Sequence, residues 1–235
     1  MTNAGVVVGG ATGIGAAIAA AQRAAGRTVL VWDIAKPHDV VCDIRDPEQI
    51  GAAIADTVER VGVPDQVTIS AGIGHAGPLL DIEPDEWDRV MAVNARGPWL
   101  VMRAAARAMI DAELPGSIVV TSSISSRLAD RTMGAYCSSK AALDMLVKVA
   151  AREWALHGIR VNAVAPGVTD TPMLGGAPLG TGFLKDVAGR TALGRIGEPA
   201  DIAQAVLALH QMGWVTGHIL DCDGGLSLHS PIGPF

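Results

Sequence analysis

Val8-Gly9-Gly10-Ala11-Thr12-Gly13-Ile14-Gly15 is the stretch whose reading decides the fold. The valines at 6–8 favour an extended strand, and the Ala-rich residues that follow favour a helix. A glycine cluster set between a strand and a helix is the context in which such a loop cradles phosphate. Gly9 allows the tight turn, Gly13 lets the backbone approach a pyrophosphate, and Gly15 permits close packing of helix on strand. Thr12 and Ile14 lie in the same cradle, where the unpaired N–H groups of the helix start point.

The rest of the chain continues the alternation. Strand-like runs fall at 6–8, 28–32, 40–42, 67–70, 117–121, 160–164 and 218–221, and helical stretches near 14–25, 47–61, 84–111, 135–157 and 199–211. This predicts an α/β fold with one Rossmann-type, doubly wound parallel sheet of about seven strands, covered by helices on both faces. One dinucleotide-binding domain then spans 1–235, with no internal repeat or linker. Only residues 34–39 separate the second strand from the third, where a parallel crossover needs about a dozen or more. The helix between strands two and three is therefore expected to be missing. The segment 173–190, with Gly175, Gly176, Gly180 and Gly182, reads as a mobile flap.

Composition narrows the class. With 235 residues, 49% of them hydrophobic and 18% charged, the chain can bury a substantial core and is not expected to be disordered. A net charge of −6 with no Lys/Arg cluster argues against nucleic acid as a partner. Cys42, Cys137 and Cys222 are scattered with no CxxC, which suits reduced thiols in the cytoplasm. Residues 1–22 carry no charge, but glycines interrupt the run and no basic segment precedes it, so a secretory leader is not expected. No segment reaches the ~18 apolar residues of a membrane span.

The chemistry is carried by Tyr136-Cys137-Ser138-Ser139-Lys140. Residues four apart share a helix face, so the Lys140 ammonium can sit near the Tyr136 phenol and favour its ionised form. Ser123 lies thirteen residues upstream, at the end of an apolar run, where open α/β sheets bind ligands. Asp33 ends the second strand, where a carboxylate accepts hydrogen bonds from an adenosine ribose and repels a 2′-phosphate. Asn94 sits mid-helix, where asparagine is intrinsically unfavourable.

Glycine loop, Ser123, Tyr136 and Lys140 together resemble the short-chain dehydrogenase/reductase family, over nearly the whole chain. The resemblance implies an NAD(H)-dependent oxidoreductase interconverting a secondary alcohol and its ketone. In it Ser123 binds the substrate oxygen, Tyr136 exchanges the proton, and Lys140 holds the nicotinamide ribose. Asn94 kinks its helix and holds a water that links the lysine to solvent. Asp43, with Ile44, contacts adenine, although a helix-capping Asp43 is an equal reading of the residue. Ala71 and Gly72 keep a close backbone approach to the cofactor. Pro166, Gly167, Val168, Thr169 and Thr171 form the loop that meets the nicotinamide. Thr12, where NADP-binding members often carry a basic residue, agrees with Asp33 in favouring NAD.

The substrate pocket is expected to be lined by Ser125, Arg127, Met133, Met173, Leu174 and Phe183, with Val168 beside them, and to take a small, cyclic or apolar, neutral alcohol. A looser likeness to cyclic dihydrodiol dehydrogenases of the 2,3-dihydro-2,3-dihydroxybenzoate type depends on Arg127 binding a carboxylate. A serine hydrolase is disfavoured, because no G-x-S-x-G elbow is present. The histidines at 38, 75, 157, 210, 218 and 229 form no ligand pair, so no metal is expected. A non-catalytic NAD-binding sensor or scaffold is the remaining alternative. Surplus apolar residues on 84–111 and 135–157 predict a homotetramer, or a dimer.

Overall fold

A computed structural model describes residues 3–175 and 182–228. Seven parallel strands form one sheet in the order β3-β2-β1-β4-β5-β6-β7. They are β1 (Ala4–Val8), β2 (Thr28–Asp33), β3 (Val40–Val41), β4 (Gln66–Ile69), β5 (Gly116–Thr121), β6 (Ile159–Pro166) and β7 (Ile219–Cys222). The order reverses between β1 and β4, the switch point at which open parallel sheets leave a crevice beyond their strand ends. β1 and the apolar part of β5 are buried, as expected of strands covered on both faces.

The helices are α1 (Gly13–Ala24), α2 (Pro47–Val61), α3 (Pro84–Met91), α4 (Gly97–Asp111), α5 (Gly134–Trp154), α6 (Pro172–Gly175), α7 (Phe183–Arg190) and α8 (Pro199–Gln211). One apolar layer, containing Trp32, Ile50, Met102, Met109 and Leu143, packs α2, α4 and α5 on one face. The other, containing Ile18, Ile202 and Leu209, packs α1 and α8 on the opposite face.

Three expectations change. The stretch 84–111 is not one helix: a π-helical turn, Ala92–Arg96, separates α3 from α4. The segment 173–190 is in part regular, since it holds the end of α6 and all of α7. Of the glycines that gave it its loop character, Gly176 and Gly180 lie outside the described residues, as does His229. Much of the supposed surplus apolar surface is core, because Val90, Leu100, Val101, Met102 and Leu143 are buried. The shortened crossover is as expected: β2 and β3 pair in parallel with no helix between them.

Candidate active site

The candidate residues gather where the strands end. A Cβ on Gly9, whose φ is +74°, would stand 2.4 Å from the Ala71 nitrogen; one on Gly15 would stand 2.0 Å from the Gly9 carbonyl oxygen. No side chain fits either place, so strand, turn and helix close as tightly as a phosphate cradle requires. Thr12 places no side-chain cap on α1 and no acidic residue occupies its first turn. The positive helix end is left uncompensated, which suits an anion. Asp33 Oδ2 accepts from the Ala11 N–H at 2.9 Å and Oδ1 from the Ala35 N–H at 2.9 Å. The carboxylate thus ties the loop to β2 while each oxygen keeps acceptor capacity. These residues fit a dinucleotide.

Asp43 is held by Arg45 through contacts of 2.6–3.1 Å, and this hydrogen bonding keeps its carboxyl below the usual range. It does not cap α2; Asp46 does, accepting from the Glu48 N–H at 2.9 Å. The Ile44 side chain is buried against Gly97, so any cofactor contact there falls to its backbone. After β6, Val168 accepts from the Gly197 N–H at 2.9 Å and Thr169 bridges to Gly197. The chain then brings Thr171 to 3.6 Å from where a Gly13 Cβ would stand. Gly167 lies against Asp223.

Asn94, Ser123, Tyr136 and Lys140 converge. Lys140 Nζ donates to the Thr121 carbonyl at 2.9 Å and lies 5.7 Å from the centroid of the Tyr136 ring. The Ser123 hydroxyl lies close enough to the phenol to favour its ionised form. Asn94 is buried in the π-helical turn, a one-residue bulge of the kind that re-aims side chains at functional sites. Its Oδ1 accepts from the Ile73 N–H at 2.9 Å, and its Nδ2 donates to the Ile73 carbonyl at 2.9 Å and to Ser139 Oγ at 3.1 Å. Ser139 in turn donates to the Tyr136 carbonyl at 2.7 Å. A Cβ on Gly72 would meet both Asn94 Oδ1 and Lys140 Nζ, at 3.3 and 3.6 Å.

Burial sets the protonation states. It pushes the Tyr136 phenol up, with the Ser123 hydrogen bond opposing. It draws the Lys140 ammonium down to about 8, with Asp144 opposing. The lowering expected from the lysine does not appear: only the Ser123 hydroxyl pulls the phenol down, and desolvation outweighs it.

Two expected pocket residues are engaged elsewhere. Ser125 Oγ donates to Asp130 at 2.6 Å, and the Arg127 guanidinium bonds Asp221 and faces Asp144 at 3.5 Å. Met133 occupies the N-cap of α5, Met173 approaches Gly74, Leu174 is half-buried, and Phe183 opens α7. His75 faces Glu86 at 3.9 Å. Among the described residues no group of three His, Cys, Asp or Glu is placed to hold a metal. Sequence reasoning missed the Thr121 carbonyl, Ser139 and Asp144. Only Asp144 carried a signal, its position four residues beyond Lys140.

A glycine-cradled helix start shares its sheet edge with a tyrosine and a lysine four residues apart on α5, and comparison with known proteins places this arrangement among the oxidoreductases. The chain belongs to the short-chain dehydrogenase/reductase family. A family model described as enoyl-(acyl carrier protein) reductase matches residues 9–227. The chain is 32% identical to 2-(S)-hydroxypropyl-CoM dehydrogenase 3 of Xanthobacter autotrophicus, over 94% of this chain and 95% of that one. It is 33% identical to cis-4-hydroxycyclohexanecarboxylate dehydrogenase of Sinomonas cyclohexanicum, over 94% of each. The ligand-free aldohexose dehydrogenase of Thermoplasma acidophilum superposes with a TM-score of 0.90 at 30% identity, covering 99% of this chain and 96% of that one.

Proposed function

We propose that the protein is an NAD(H)-dependent dehydrogenase that interconverts a small, neutral, cyclic or apolar secondary alcohol and its ketone. The observation that carries the reading is the meeting of Ser123, Tyr136 and Lys140 at one strand end, on the same sheet edge as the glycine cradle. NAD supplies hydride chemistry when bound. Gly9, Gly13, Gly15 and the start of α1 hold the pyrophosphate; Asp33 takes the adenosine ribose and excludes a 2′-phosphate. Lys140 holds the nicotinamide ribose, Ser123 binds the substrate oxygen, and Tyr136 moves a proton at that oxygen. Keeping both Tyr136 and Lys140 favours turnover over a sensor role.

The neutral substrate follows from Arg127. The cation best placed for a substrate carboxylate is already paired with Asp221 and Asp144. The relative from Sinomonas acts on a ring that carries a carboxylate; a cyclic alcohol without one fits this chain better. One domain carries both cofactor and catalytic groups. A homotetramer is supported by the half-exposed Trp99, Met145 and Val149 on α4 and α5, and by the fully exposed Trp214 near β7. Free cysteines favour the cytoplasm, and among the described residues no helix is long and apolar enough to cross a membrane.

The test is a panel of cyclic alcohols and ketones, each assayed with NAD(H) and NADP(H) beside its carboxylated analogue, following NAD(P)H absorbance. Tyr136→Phe should lower turnover by about 100-fold or more while NADH still binds. Retained turnover in that variant, equal use of NADP, or a preference for the carboxylate abolished by Arg127→Ala would each overturn its part of the reading.

A further inference from the structure

A third polar side chain follows Tyr136 and Lys140 along α5 at the same four-residue spacing. Asp144 is buried. Its Oδ1 accepts from Ser122 Oγ at 2.5 Å, and its Oδ2 lies 3.5 Å from Arg127 Nη1. Two residues of α5 are tied to the end of β5, Lys140 to the Thr121 carbonyl and Asp144 to the Ser122 hydroxyl, and the third, Tyr136, feels the hydroxyl of Ser123. A carboxylate this buried is tolerated only with partners for both oxygens, and each oxygen here has one.

Ser122 is anchored twice. Its N–H donates to the Val164 carbonyl of β6 at 2.7 Å, and its hydroxyl is pinned to α5. Ser123 follows directly on extended backbone, with φ −165°, and its hydroxyl accepts from the Ser125 N–H at 3.1 Å. The direction in which Ser123 leaves the sheet is thus set by the residue before it.

We propose that Ser122 and Asp144 are positioning residues that hold Ser123 against the Tyr136 phenol, with Arg127 satisfying the outer oxygen of Asp144. The proposal rests on the reading of Tyr136 as the proton-exchanging group, yet it can be tested without turnover. Tyr136 is the only tyrosine in the chain. Its ionisation is therefore read alone, as tyrosinate absorbance in an ultraviolet pH titration with Tyr136→Phe as the blank. The charged and titratable groups around it are Lys140 and Cys137 on α5 and Asp130 in the loop before it, and none of them is altered in the serine variants.

The titration is run with and without saturating NAD+, whose positive ring draws a neighbouring phenol to lower pH. Ser123→Ala should raise the midpoint by about half a pH unit, the size of one neutral hydrogen bond. Ser122→Ala should raise it comparably, the double variant no further, and Ser122→Thr should restore it. Asp144→Asn, which keeps an acceptor for Ser122 but gives up the charge and the outer oxygen that faces Arg127, should leave the midpoint no higher than wild type. If Ser122→Ala does not fold, Ser122→Cys fills the same space with a weak donor and reads the same quantity. A wild-type midpoint in the Ser122 variant, additive shifts in the double variant, or no shift in Ser123→Ala would overturn the proposal. Turnover in Tyr136→Phe would instead overturn the underlying reading.

Discussion

Lys140→Met should make the protein more stable while removing its activity. The ammonium is buried, and burial has drawn its pKa from 10.5 to about 8. At neutral pH the charge is kept, at a cost of about 3 kcal/mol relative to a solvated lysine. Methionine removes that cost and fills much the same space. It also leaves the Thr121 carbonyl without its donor and Asp144 without a cation on its helix, an offset of about 1–2 kcal/mol. The balance is a gain of about 1–2 kcal/mol, or about 3–6 °C in Tm for a chain of this size. The sign with pH is fixed, because a folded-state pKa below the unfolded one means stability lost as pH falls through about 8 and recovered towards 10.5. The advantage of Lys140→Met should thus be full at pH 7 and shrink as pH rises through that window. Thermal unfolding followed by tryptophan fluorescence across that range measures it. A variant less stable than wild type at pH 7, or a gap indifferent to pH, would falsify the argument that Lys140 is a costly buried cation.

The remaining predictions concern parts of the molecule away from the acid–base pair. His210 is buried between Thr68 Oγ1 at 2.9 Å and Ser117 Oγ at 3.0 Å, and burial draws it from 6.5 to about 3. Stability present above pH 6.5 should be lost as pH falls, by about 2 kcal/mol at pH 5, and His210→Gln should flatten that part of a urea-unfolding pH series. Gly15→Ala forces a Cβ onto the Gly9 carbonyl and should cost about 3 kcal/mol and NADH binding. Gly51→Ala on α2, with nothing within 4 Å, should instead stabilise by about 1 kcal/mol; equal effects in the two variants would contradict the packing argument. Light scattering at micromolar concentration should give a tetramer, and a monomer there would refute the assembly.

What could be read in the sequence was what local physics determines. Short apolar, mostly β-branched runs located all seven strands, and glycine context pointed to the cradle. The six-residue gap after Asp33 revealed the absent helix. A kink at Asn94 was expected, but its π-helical form was not legible, because one extra residue per turn barely alters apolar periodicity. Nor were the commitments of Arg127 and Ser125. Arg127 finds Asp221 ninety-four positions away, and no local pattern encodes such a pairing. Asp43 was read as a cofactor contact or a helix cap; the cap is supplied by Asp46, immediately before Pro47, while Asp43 pairs with the neighbouring Arg45. The direction of the phenol's titration also escaped, because desolvation depends on how deeply the finished fold covers Tyr136.

The two margins of the sheet are unlike. On one side β3 is two residues long, so it offers almost no backbone donors or acceptors to another chain and stops the sheet there. On the other, the four residues of β7 run beside the bare indole of Trp214. Among the described residues, the sheet is blunt on one flank and leaves the outer edge of β7 without a paired strand on the other. Any strand-to-strand association is thereby confined to one flank, and a flank with a single usable edge closes on a pair instead of growing into an open-ended fibre.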